Sequence, residues 1–383
     1  MKMKGVNLGN WLVLEKWMSP ALFYGTDAED EYDLPRALPR EVYEARIRIH
    51  RAEYISEGDF VRIKAMGLNT ARIPVPFFIF GDVEPYIGCI EELDKAFAWA
   101  RRYGLQILID LHTVPGGQNG FDNSGACGLC TWHQHPEYVE ETLTLLEALA
   151  RRYAPRKSLF GIGPINEPAS ENIMALNAFL FGEKYPERVA QSEAVPDSFL
   201  KEFYLEVYRR IKPLLPEDAV IVLSDQFDLA RWETFMPADE YPGVWLEAHK
   251  YLTFSEGMIA YDGLPSAYAY RAKADQIQGG LILQNYLRLI RDVFADEVLR
   301  AARFHPVLVG EWCLVQNMED IKNARDEEEI RSLYRQLADA HLEIWEQAEG
   351  GAYWSYKVDD SLPEAWDFRK CVSKGWLNYT DRE

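Results

Sequence analysis

The sequence predicts an α/β fold, a closed (β/α)8 TIM barrel with extended βα loops on its C-terminal face. Two observations predict it. Eight short apolar runs alternate with segments of helical period, and most runs are near-continuous apolar rather than alternating, as parallel strands buried on both faces are. The chain also has 383 residues, and barrels of this type routinely exceed about 250 residues as one unit. We therefore expect a single barrel domain over residues 1–383.

The eight apolar runs are interpreted as the barrel strands in chain order. They cover residues 5–8, 70–74, 105–112, 160–166, 220–223, 244–249, 307–312 and 352–356. An open, doubly wound sheet would favour a glycine-rich phosphate turn after an early strand. Gly116 and Gly117 do not fit the spaced dinucleotide fingerprint, and the sequence has no Gly-Lys-Ser/Thr motif. The pattern therefore favours the closed barrel.

Seven segments between these strands have the period of a helix. They cover residues 57–66, 91–103, 136–153, 198–214, 229–235, 281–304 and 327–349. Ser56 and Asp59 form a capping pattern before the first helix, and Gly67 and Gly104 stand where C-caps are expected. Two excursions, 21–54 and 253–280, are expected on the C-terminal face, where such loops shape specificity.

Charge and composition exclude several classes of function. The net charge of −20 repels nucleic acid and anionic membranes, whereas neutral carbohydrate is tolerated. No run of about 18 apolar residues predicts a membrane span. The N-terminus shows no signal peptide, and the sequence contains five cysteines, an odd number. We therefore expect a cytoplasmic protein whose thiols are mainly reduced.

Polar side chains stand at the C-terminal ends of several predicted strands. In a barrel of this kind the active site lies at the C-terminal ends of the strands, and polar groups there are costly unless they are paired. The residues at or just beyond these ends are Asn7, Glu15, Arg72, Asp110, His112, Asn166, Glu167, His249, Tyr251, Glu311 and Trp354. So many polar residues are not what a structural scaffold needs.

Two of these residues predict the chemistry. Glu167 and Glu311 each follow an apolar run, 144 residues apart, and two carboxylates across one cleft are the working groups of a glycoside hydrolase. We predict Glu167 as the acid/base and Glu311 as the nucleophile, with side-chain oxygens roughly 5 Å apart for double displacement. Arg72 is expected to lower the pKa of Glu311 by charge pairing, and Tyr251 to donate a hydrogen bond to it.

The other strand-end residues are expected around the sugar. Asn166 is predicted to bond the 2-hydroxyl, His112 and His249 to orient hydroxyls, and Trp354 to form a stacking floor. Glu247, two residues before His249, is a third carboxylate for which substrate contact stays open.

At this point the sequence resembles glycoside hydrolase family 5, a retaining clan A barrel, and is especially similar to its exo-β-1,3-glucanase branch. The ordered motifs are Gly5-Val-Asn-Leu-Gly-Asn-Trp-Leu-Val-Leu-Glu15, Ala71-Arg72-Ile-Pro74, Ile109-Asp-Leu-His112, the segment 115–125, Asn166-Glu167-Pro168, His249-Lys-Tyr251, Gly310-Glu311 and Tyr353-Trp354. The resemblance implies the same acid/base and nucleophile, with Arg72, His112, Asn166, His249, Tyr251 and Trp354 in the first subsite.

The same resemblance implies further substrate contacts and an exo-acting enzyme. It places Glu15 on the terminal sugar, Phe121 and Phe254 on either side of the incoming sugar, and Asp122 and Asn123 beside that entrance. The expected activity is removal of terminal β-linked glucose from oligosaccharides or β-glucosides, without a cofactor. Alternatives left open are an endo-acting β-glucanase or mannanase of the family, a non-catalytic carbohydrate-binding barrel and a metal-dependent hydrolase.

One loop carries a competing signal. Cys127, Cys130, His133 and His135 are four nitrogen and sulfur ligands in close spacing, which is what a tetrahedral zinc site needs. A disulfide or a redox pair are alternatives for the two cysteines, and ordinary loop packing is the fourth interpretation. Trp132 in the same loop is a candidate platform for the leaving group.

Overall fold

The computed structural model describes residues 2–260 and 277–380, and it contains the predicted closed barrel. Eight parallel strands take part: β1 (Met3–Asn7), β2 (Thr70–Val75), β3 (Gln106–Leu111), β4 (Leu159–Gly163), β5 (Val220–Ser224), β6 (Val244–Lys250), β7 (Val307–Trp312) and β8 (Gly350–Tyr353). Each strand pairs with the next along the chain, and β8 pairs with β1 to close the ring. The fold class is therefore confirmed.

Helices surround the barrel and fill the connections. Those on the described ranges are Leu34–Ala37, Arg40–Tyr54, Glu57–Ala65, Ile90–Tyr103, Pro136–Tyr153, Glu171–Phe181, Pro186–Gln191, Asp197–Ile211, Leu252–Ser255, Leu283–Arg288, Ala295–Ala301, Glu319–Lys322, Glu327–Trp345 and Phe368–Ser373. Two further two-residue strands, Ile259–Ala260 and Ile277–Gln278, pair in parallel away from the barrel.

The predicted helix boundaries are confirmed where caps mark them. The Ser56 backbone N–H donates to the Asp59 carboxylate at 2.8 Å, so the predicted capping pattern forms. Gly104 has φ 66° and ends its helix in the left-handed region, and Gly67 has φ 84°. These positions need glycine because a side chain there is strained.

Other helix predictions are wrong in detail. The continuous helix expected over 281–304 is two helices joined by a π-helical segment, Leu289–Phe294. The segment 229–235 holds one 3-10 turn, Leu229–Arg231, and the helix expected to reach residue 349 ends at Trp345. The sequence period follows the buried face and does not report which hydrogen-bond pattern the backbone adopts.

The two long excursions have different outcomes. The first contains a 15-residue helix, Arg40–Tyr54, which the sequence analysis missed. Its buried residues Tyr43 and Ile47 pack into a separate small apolar cluster with Phe23 and Leu34. Most of the second excursion, residues 261–276, lies outside the described residues.

The inside of the barrel is layered by strand alternation, because every second side chain of a strand points inward. An apolar cluster contains Met3, Leu108, Val222, Leu308 and Ala352. Asp110 lies two residues after Leu108, and Glu247 lies two residues after Trp245. Both carboxylates are buried, and both pair with the buried Arg72. The barrel therefore changes from an apolar layer to a charged layer toward its C-terminal end, where the site lies.

In the part of the chain that the structure describes, no helix combines the length and the apolar character needed to cross a bilayer.

Candidate active site

Strands β4 and β7 bring the two predicted carboxylates together. Glu311 is the second-last residue of β7, and Glu167 lies four residues beyond β4. Glu167 has φ 46°, a left-handed conformation that is uncommon outside glycine and is found at functional sites. One carboxylate oxygen of each glutamate and a ring nitrogen of His249 all lie within 4.8 Å of one another. The two carboxylates therefore face each other across one short gap.

Glu311 is held by hydrogen bonds on both of its oxygens. The Tyr251 hydroxyl donates to Oε2 at 2.6 Å, and Arg72 Nη1 donates to Oε1 at 2.9 Å. His249 Nδ1 lies 3.5 Å from Oε2. Because β6 and β7 are neighbours with His249 opposite Glu311, the contact between these two residues follows directly from the strand register.

Arg72 acts to lower the pKa of Glu311, as expected, but it does not decide the net shift. Burial raises the pKa of Glu311 above its ordinary value, and the positive charges of His249 and Arg72 offset only part of this. The nearby carboxylate of Glu167 raises it further. Desolvation of a carboxylate that is 4% exposed therefore outweighs its charge pairing, and sequence alone does not report that burial.

The pKa of Glu167 is shifted in the opposite direction, below its ordinary value. His249 Nδ1 lies 2.6 Å from its Oε1, and Asn123 Nδ2 donates to its Oε2 at 2.8 Å. Burial alone would raise the pKa of Glu167, but these donors and the charge of His249 lower it. Burial would likewise lower the pKa of His249, but Glu311 and Glu167 raise it well above its ordinary value. Glu167 and His249 therefore stabilise each other's charged forms.

Arg72 is the centre of a fully buried charge network beneath the carboxylate pair. Its guanidinium lies 2.8 Å from Glu247 Oε1, 2.9 Å from Glu311 Oε1 and 3.1 Å from Asp110 Oδ1. Burial acts to lower the pKa of Arg72, but the three carboxylates raise it well above its usual range. Gly310 makes room for this network, because a Cβ there would lie 1.6 Å from Glu247 Oε1. Glu247 is thus a structural partner of Arg72, buried at 1% exposure.

Removing the centre of this network should have a large cost in stability. We expect Arg72→Met to lower the free energy of unfolding at neutral pH by about 3–5 kcal/mol, because three buried carboxylates lose their counter-charge. Without Arg72 the folded pKa values of Glu247 and Glu311 should lie above their unfolded values, so the deficit should shrink as the pH falls and these two groups are protonated. Urea unfolding at pH 5 and pH 7 measures this.

Arg325→Met is the matched control, since Arg325 is 83% exposed and pairs with Glu329 at the surface. Such a pair is worth at most about 1 kcal/mol. Equal stabilities of the Arg72 and Arg325 variants at pH 7 would contradict the role given to the network.

A cavity of about 370 Å³ opens above the carboxylate pair. One part of its wall is polar: Glu15 Oε2 accepts from Trp17 Nε1 at 2.8 Å, and Asp122 and Asn123 lie on the same wall. Burial and the charge of Asp122 raise the pKa of Glu15 well above its ordinary value, and burial raises that of Asp122 to about 6. Trp17 packs on Trp366 with ring centroids 5.0 Å apart.

The cavity gathers most of the predicted site residues. Those that line it are Glu15, Phe121, Asp122, Asn123, Glu167, His249, Tyr251, Phe254, Glu311 and Trp354. Arg72, His112 and Asn166 do not, and each is at most 1% exposed. Asn166 Oδ1 accepts from Arg72 Nη2 at 3.0 Å, and His112 Nδ1 lies 2.5 Å from Asp110 Oδ2. These three side chains lie behind the residues that line the cavity and support them, and their expected contact with the sugar stays a prediction.

His112 illustrates this supporting position. Its ring stacks on Trp354 with centroids 5.7 Å apart, and its Nε2 lies 3.4 Å from Asn166 Nδ2. It therefore fixes the aromatic floor from below.

Sequence analysis missed six residues of the cavity wall. They are Trp17, Ile173, Leu176, Leu180, Phe227 and Trp366. The position of Trp17, two residues after Glu15, was a usable signal. Trp366 lies beyond β8, and only the closed barrel brings it to Trp17. The three aliphatic residues belong to the helix Glu171–Phe181, which the sequence analysis did not predict.

The cysteine-histidine loop does not assemble a metal site. Cys127 and Cys130 are buried and free, so the disulfide alternative is wrong. Over residues 2–260 and 277–380, the group of His, Cys, Asp or Glu side chains with three converging ligand atoms is Glu167, His249 and Glu311, without any residue of this loop.

Trp132 is also not a platform for a leaving group. It is fully buried, donates to Thr142 Oγ1 at 3.0 Å and packs edge-on against Phe199 and Phe203. Ordinary packing is therefore its role. Cys313, which follows Glu311 by two residues, is buried, and burial raises the pKa of its thiol.

Comparison with known proteins agrees with this geometry. The chain is 31% identical over 387 residues to the probable glucan 1,3-beta-glucosidase A of Aspergillus clavatus, covering 97% of this chain and 86% of the relative. It is 30% identical to the enzyme of the same name from Emericella nidulans, covering 100% and 92% of the two chains. The crystal structure of rutinosidase from Aspergillus niger superposes with a TM-score of 0.75 at 21% identity over 98% of both chains. No family model matches the chain.

An eight-stranded parallel barrel with two facing glutamates at the ends of β4 and β7 defines a glycoside hydrolase of the clan A type. The similarity to the named relatives extends over nearly the whole chain and supports the same class. The chain belongs to the family of the glucan 1,3-beta-glucosidases, within glycoside hydrolase family 5.

Proposed function

We propose that this enzyme removes terminal β-linked glucose from short glucosides with retention of configuration. The single observation that carries the proposal is the pair of Glu167 and Glu311 oxygens within 4.8 Å. Retaining glycosidases hold their carboxyl groups about 5–5.5 Å apart, whereas inverting enzymes need about 6.5–9.5 Å to admit a water molecule. The names of the relatives support a β-1,3 linkage among the substrates.

Glu311 is proposed as the nucleophile. Tyr251 and Arg72 each bond one of its oxygens, so the carboxylate is held in one orientation before the substrate arrives. Burial and Glu311 itself raise the pKa of Tyr251 well above its ordinary value, which keeps the phenol protonated as a donor. Attack on the anomeric carbon forms a glycosyl ester and spreads the charge of the carboxylate, so the desolvation of Glu311 becomes less costly along the reaction.

Glu167 is proposed as the acid/base, with His249 as the store of its proton. An acid must be protonated when the leaving oxygen departs, yet the free protein favours ionised Glu167 beside protonated His249. The contact of 2.6 Å between His249 Nδ1 and Glu167 Oε1 lets one proton cross between them. The pair therefore titrates as a unit whose pKa values belong to both groups.

This sharing sets the alkaline limit of activity. The Glu167–His249 pair must keep one proton. We therefore expect kcat/KM to fall as the pH rises through the raised pKa at which the pair loses that proton. In His249→Asn, Glu167 alone must hold the proton, and a carboxylic acid releases it at lower pH than the pair does. We expect the alkaline limb of the pH profile to move to lower pH, measured as kcat/KM on an aryl β-glucoside from pH 4 to pH 9.

His305→Asn is the matched control, because His305 is a buried histidine that does not line the cavity. Its alkaline limb should coincide with that of the wild type. An unchanged limb in His249→Asn would contradict the proton store.

Recognition of glucose is proposed for the polar part of the cavity. Within the described residues, Glu15 Oε1 is buried and has no hydrogen-bond partner in the protein, so it is available to a sugar hydroxyl. The raised pKa of Glu15 favours its protonated form, and a protonated carboxyl both donates and accepts. Trp354 offers an apolar face to the ring. The Trp17–Trp366 wall supports a pocket and hence exo action.

Incubation with a panel of β-linked glucose disaccharides and a longer β-1,3-glucan oligosaccharide tests the proposal, with the products separated by chromatography. We expect glucose as the first product, formed initially as the β-anomer by NMR, with activity retained in EDTA. Internal cleavage of the oligosaccharide would instead establish the endo-acting alternative. Binding without turnover would establish the non-catalytic barrel, and loss in EDTA the metal-dependent hydrolase.

A cytoplasmic location is also proposed. It is supported by five free cysteines, all buried, which suit a reducing compartment. Fractionation of source cells, followed with an antibody to this protein, tests it.

A further inference from the structure

The helix Glu171–Phe181, here called the rim helix, has an unusual surface for its position. It begins four residues after Glu167 and reads Glu-Asn-Ile-Met-Ala-Leu-Asn-Ala-Phe-Leu-Phe. Surface helices normally turn charged and polar residues to solvent. Here Phe179 is 66% exposed and Leu180 48% exposed, so the rim helix presents an apolar face beside the catalytic cavity.

The rim helix is fixed in place. Ile173 is 3% exposed and belongs to the main core. The buried Asn177 donates to the Asn119 carbonyl at 3.3 Å and fills the space at Gly120, where a Cβ would lie 1.7 Å from its Nδ2. Phe181 packs edge-on against Phe121 at 6.2 Å. The apolar face is therefore a built feature and is held against the loop that carries Phe121 and Asn123.

The same helix forms part of the catalytic cavity. Ile173, Leu176 and Leu180 line it together with both catalytic carboxylates, and Phe254, 42% exposed, belongs to the same wall. A cavity wall of this kind favours apolar groups, because burying them releases water. The polar residues suited to a sugar, Glu15 and Asp122, come instead from the loops after β1 and β3.

The chemistry decides which part of the substrate meets the rim helix. Glu167 gives its proton to the leaving oxygen, so the leaving group lies on the Glu167 side of the scissile bond. The rim helix follows Glu167 directly in the chain. We propose that the natural leaving group is an apolar alkyl or aryl aglycone held by Leu176, Leu180 and Phe254. The inference rests on the proposed function and deepens it by naming the substrate class.

A polar cavity of about 250 Å³ adjoins the first and shares Ile173, Phe227 and His249 with it. A second sugar would be the competing occupant of that space. Its charged groups are already paired, however: Lys250 Nζ lies 2.6 Å from Glu297 Oε2, and Arg231 Nε lies 3.1 Å from Asp228 Oδ2. These pairs favour the rim helix as the aglycone surface.

Methyl and octyl β-D-glucoside test the inference, the latter below its micelle concentration. Their leaving alcohols have nearly equal acidity, so a difference in kcat/KM reports contact with the chain and not leaving-group chemistry. Each methylene removed from water is worth about fourfold, so three of them give roughly 50-fold in favour of the octyl compound. In Leu180→Gln this octyl-to-methyl ratio should fall by about fourfold or more.

Ala175→Gln is the matched control, since Ala175 is exposed on the same helix and does not line the cavity. It should leave the ratio and the methyl glucoside activity unchanged. A wild-type ratio near one, or a higher kcat/KM on a β-1,3-linked glucose disaccharide that Leu180→Gln leaves unchanged, overturns the inference while the glucosidase assignment stands. No turnover of any glucoside overturns the proposed function itself.

A second copy of this chain is the other candidate for the apolar face. Gel filtration of the wild type and Leu180→Gln decides it. A wild-type dimer that Leu180→Gln dissociates would overturn the aglycone inference, whereas the same elution volume for both variants supports it.

Discussion

Glu311→Ala should lower turnover of an aryl β-glucoside by at least roughly 10⁴-fold, because it removes the proposed nucleophile. Tyr251 and Arg72 bond both oxygens of this side chain, and no neighbouring carboxylate on the described ranges shares that position. Glu247 is closest in chemistry, but it is buried against Arg72 at 2.8 Å and does not line the cavity.

Azide makes this prediction specific to the nucleophile. Removal of the Glu311 carboxylate leaves space on the face from which it attacks, and azide can enter there. A single displacement then inverts the anomeric centre, so the product should be the α-configured glucosyl azide, identified by NMR. The wild type should form none of it. If azide gives no rescue, or if it gives the β-configured product, Glu311 is not the nucleophile.

Glu167→Gln should have the second-largest effect, and the size of that effect should depend on the leaving group. A glutamine keeps the shape of the side chain but holds no transferable proton. For methyl β-glucoside, whose alcohol is a poor leaving group, we expect kcat/KM to fall by roughly 10²–10⁴-fold. For a dinitrophenyl β-glucoside, which departs without protonation, the loss should be less than about tenfold.

A plot of log kcat/KM against leaving-group pKa over a series of aryl glucosides measures this difference as a steeper slope in the variant. Glu183→Gln is a suitable control, because Glu183 is exposed near the rim helix and does not line the cavity. Its slope should match that of the wild type. Losses of equal size on good and poor leaving groups would argue against the acid role of Glu167.

The environments of the two glutamates explain why such tests are needed beside the geometry. In the free protein burial raises the pKa of Glu311, the proposed nucleophile, and His249 lowers that of Glu167, the proposed acid. The reaction needs an ionised nucleophile and a protonated acid, which is the reverse of these pKa shifts. His249 reconciles the two, since it touches Glu167 at 2.6 Å and lies 3.5 Å from Glu311. We propose that a substrate entering between the carboxylates changes both contacts, so that the proton moves to Glu167.

The sequence by itself determined the barrel and the identity of the two carboxylates. Continuous apolar runs such as 220–223 need burial on both faces, and a parallel sheet covered by helices supplies it. Parallel strands then carry their C-terminal residues to one end of the barrel, so Glu167 and Glu311 must approach each other although 144 residues separate them. Both conclusions follow from local pattern and chain direction, which a sequence contains.

Tertiary structure alone decided the protonation balance and the character of the cavity wall. The pKa of Glu311 depends on desolvation and on charges from β2, β4 and β6, and the Trp17–Trp366 contact joins segments 349 residues apart. The exposure of Leu180 likewise depends on how Asn177 docks the rim helix. Electrostatic energies and burial are sums over neighbours in space, so residue order does not give them until the barrel has closed.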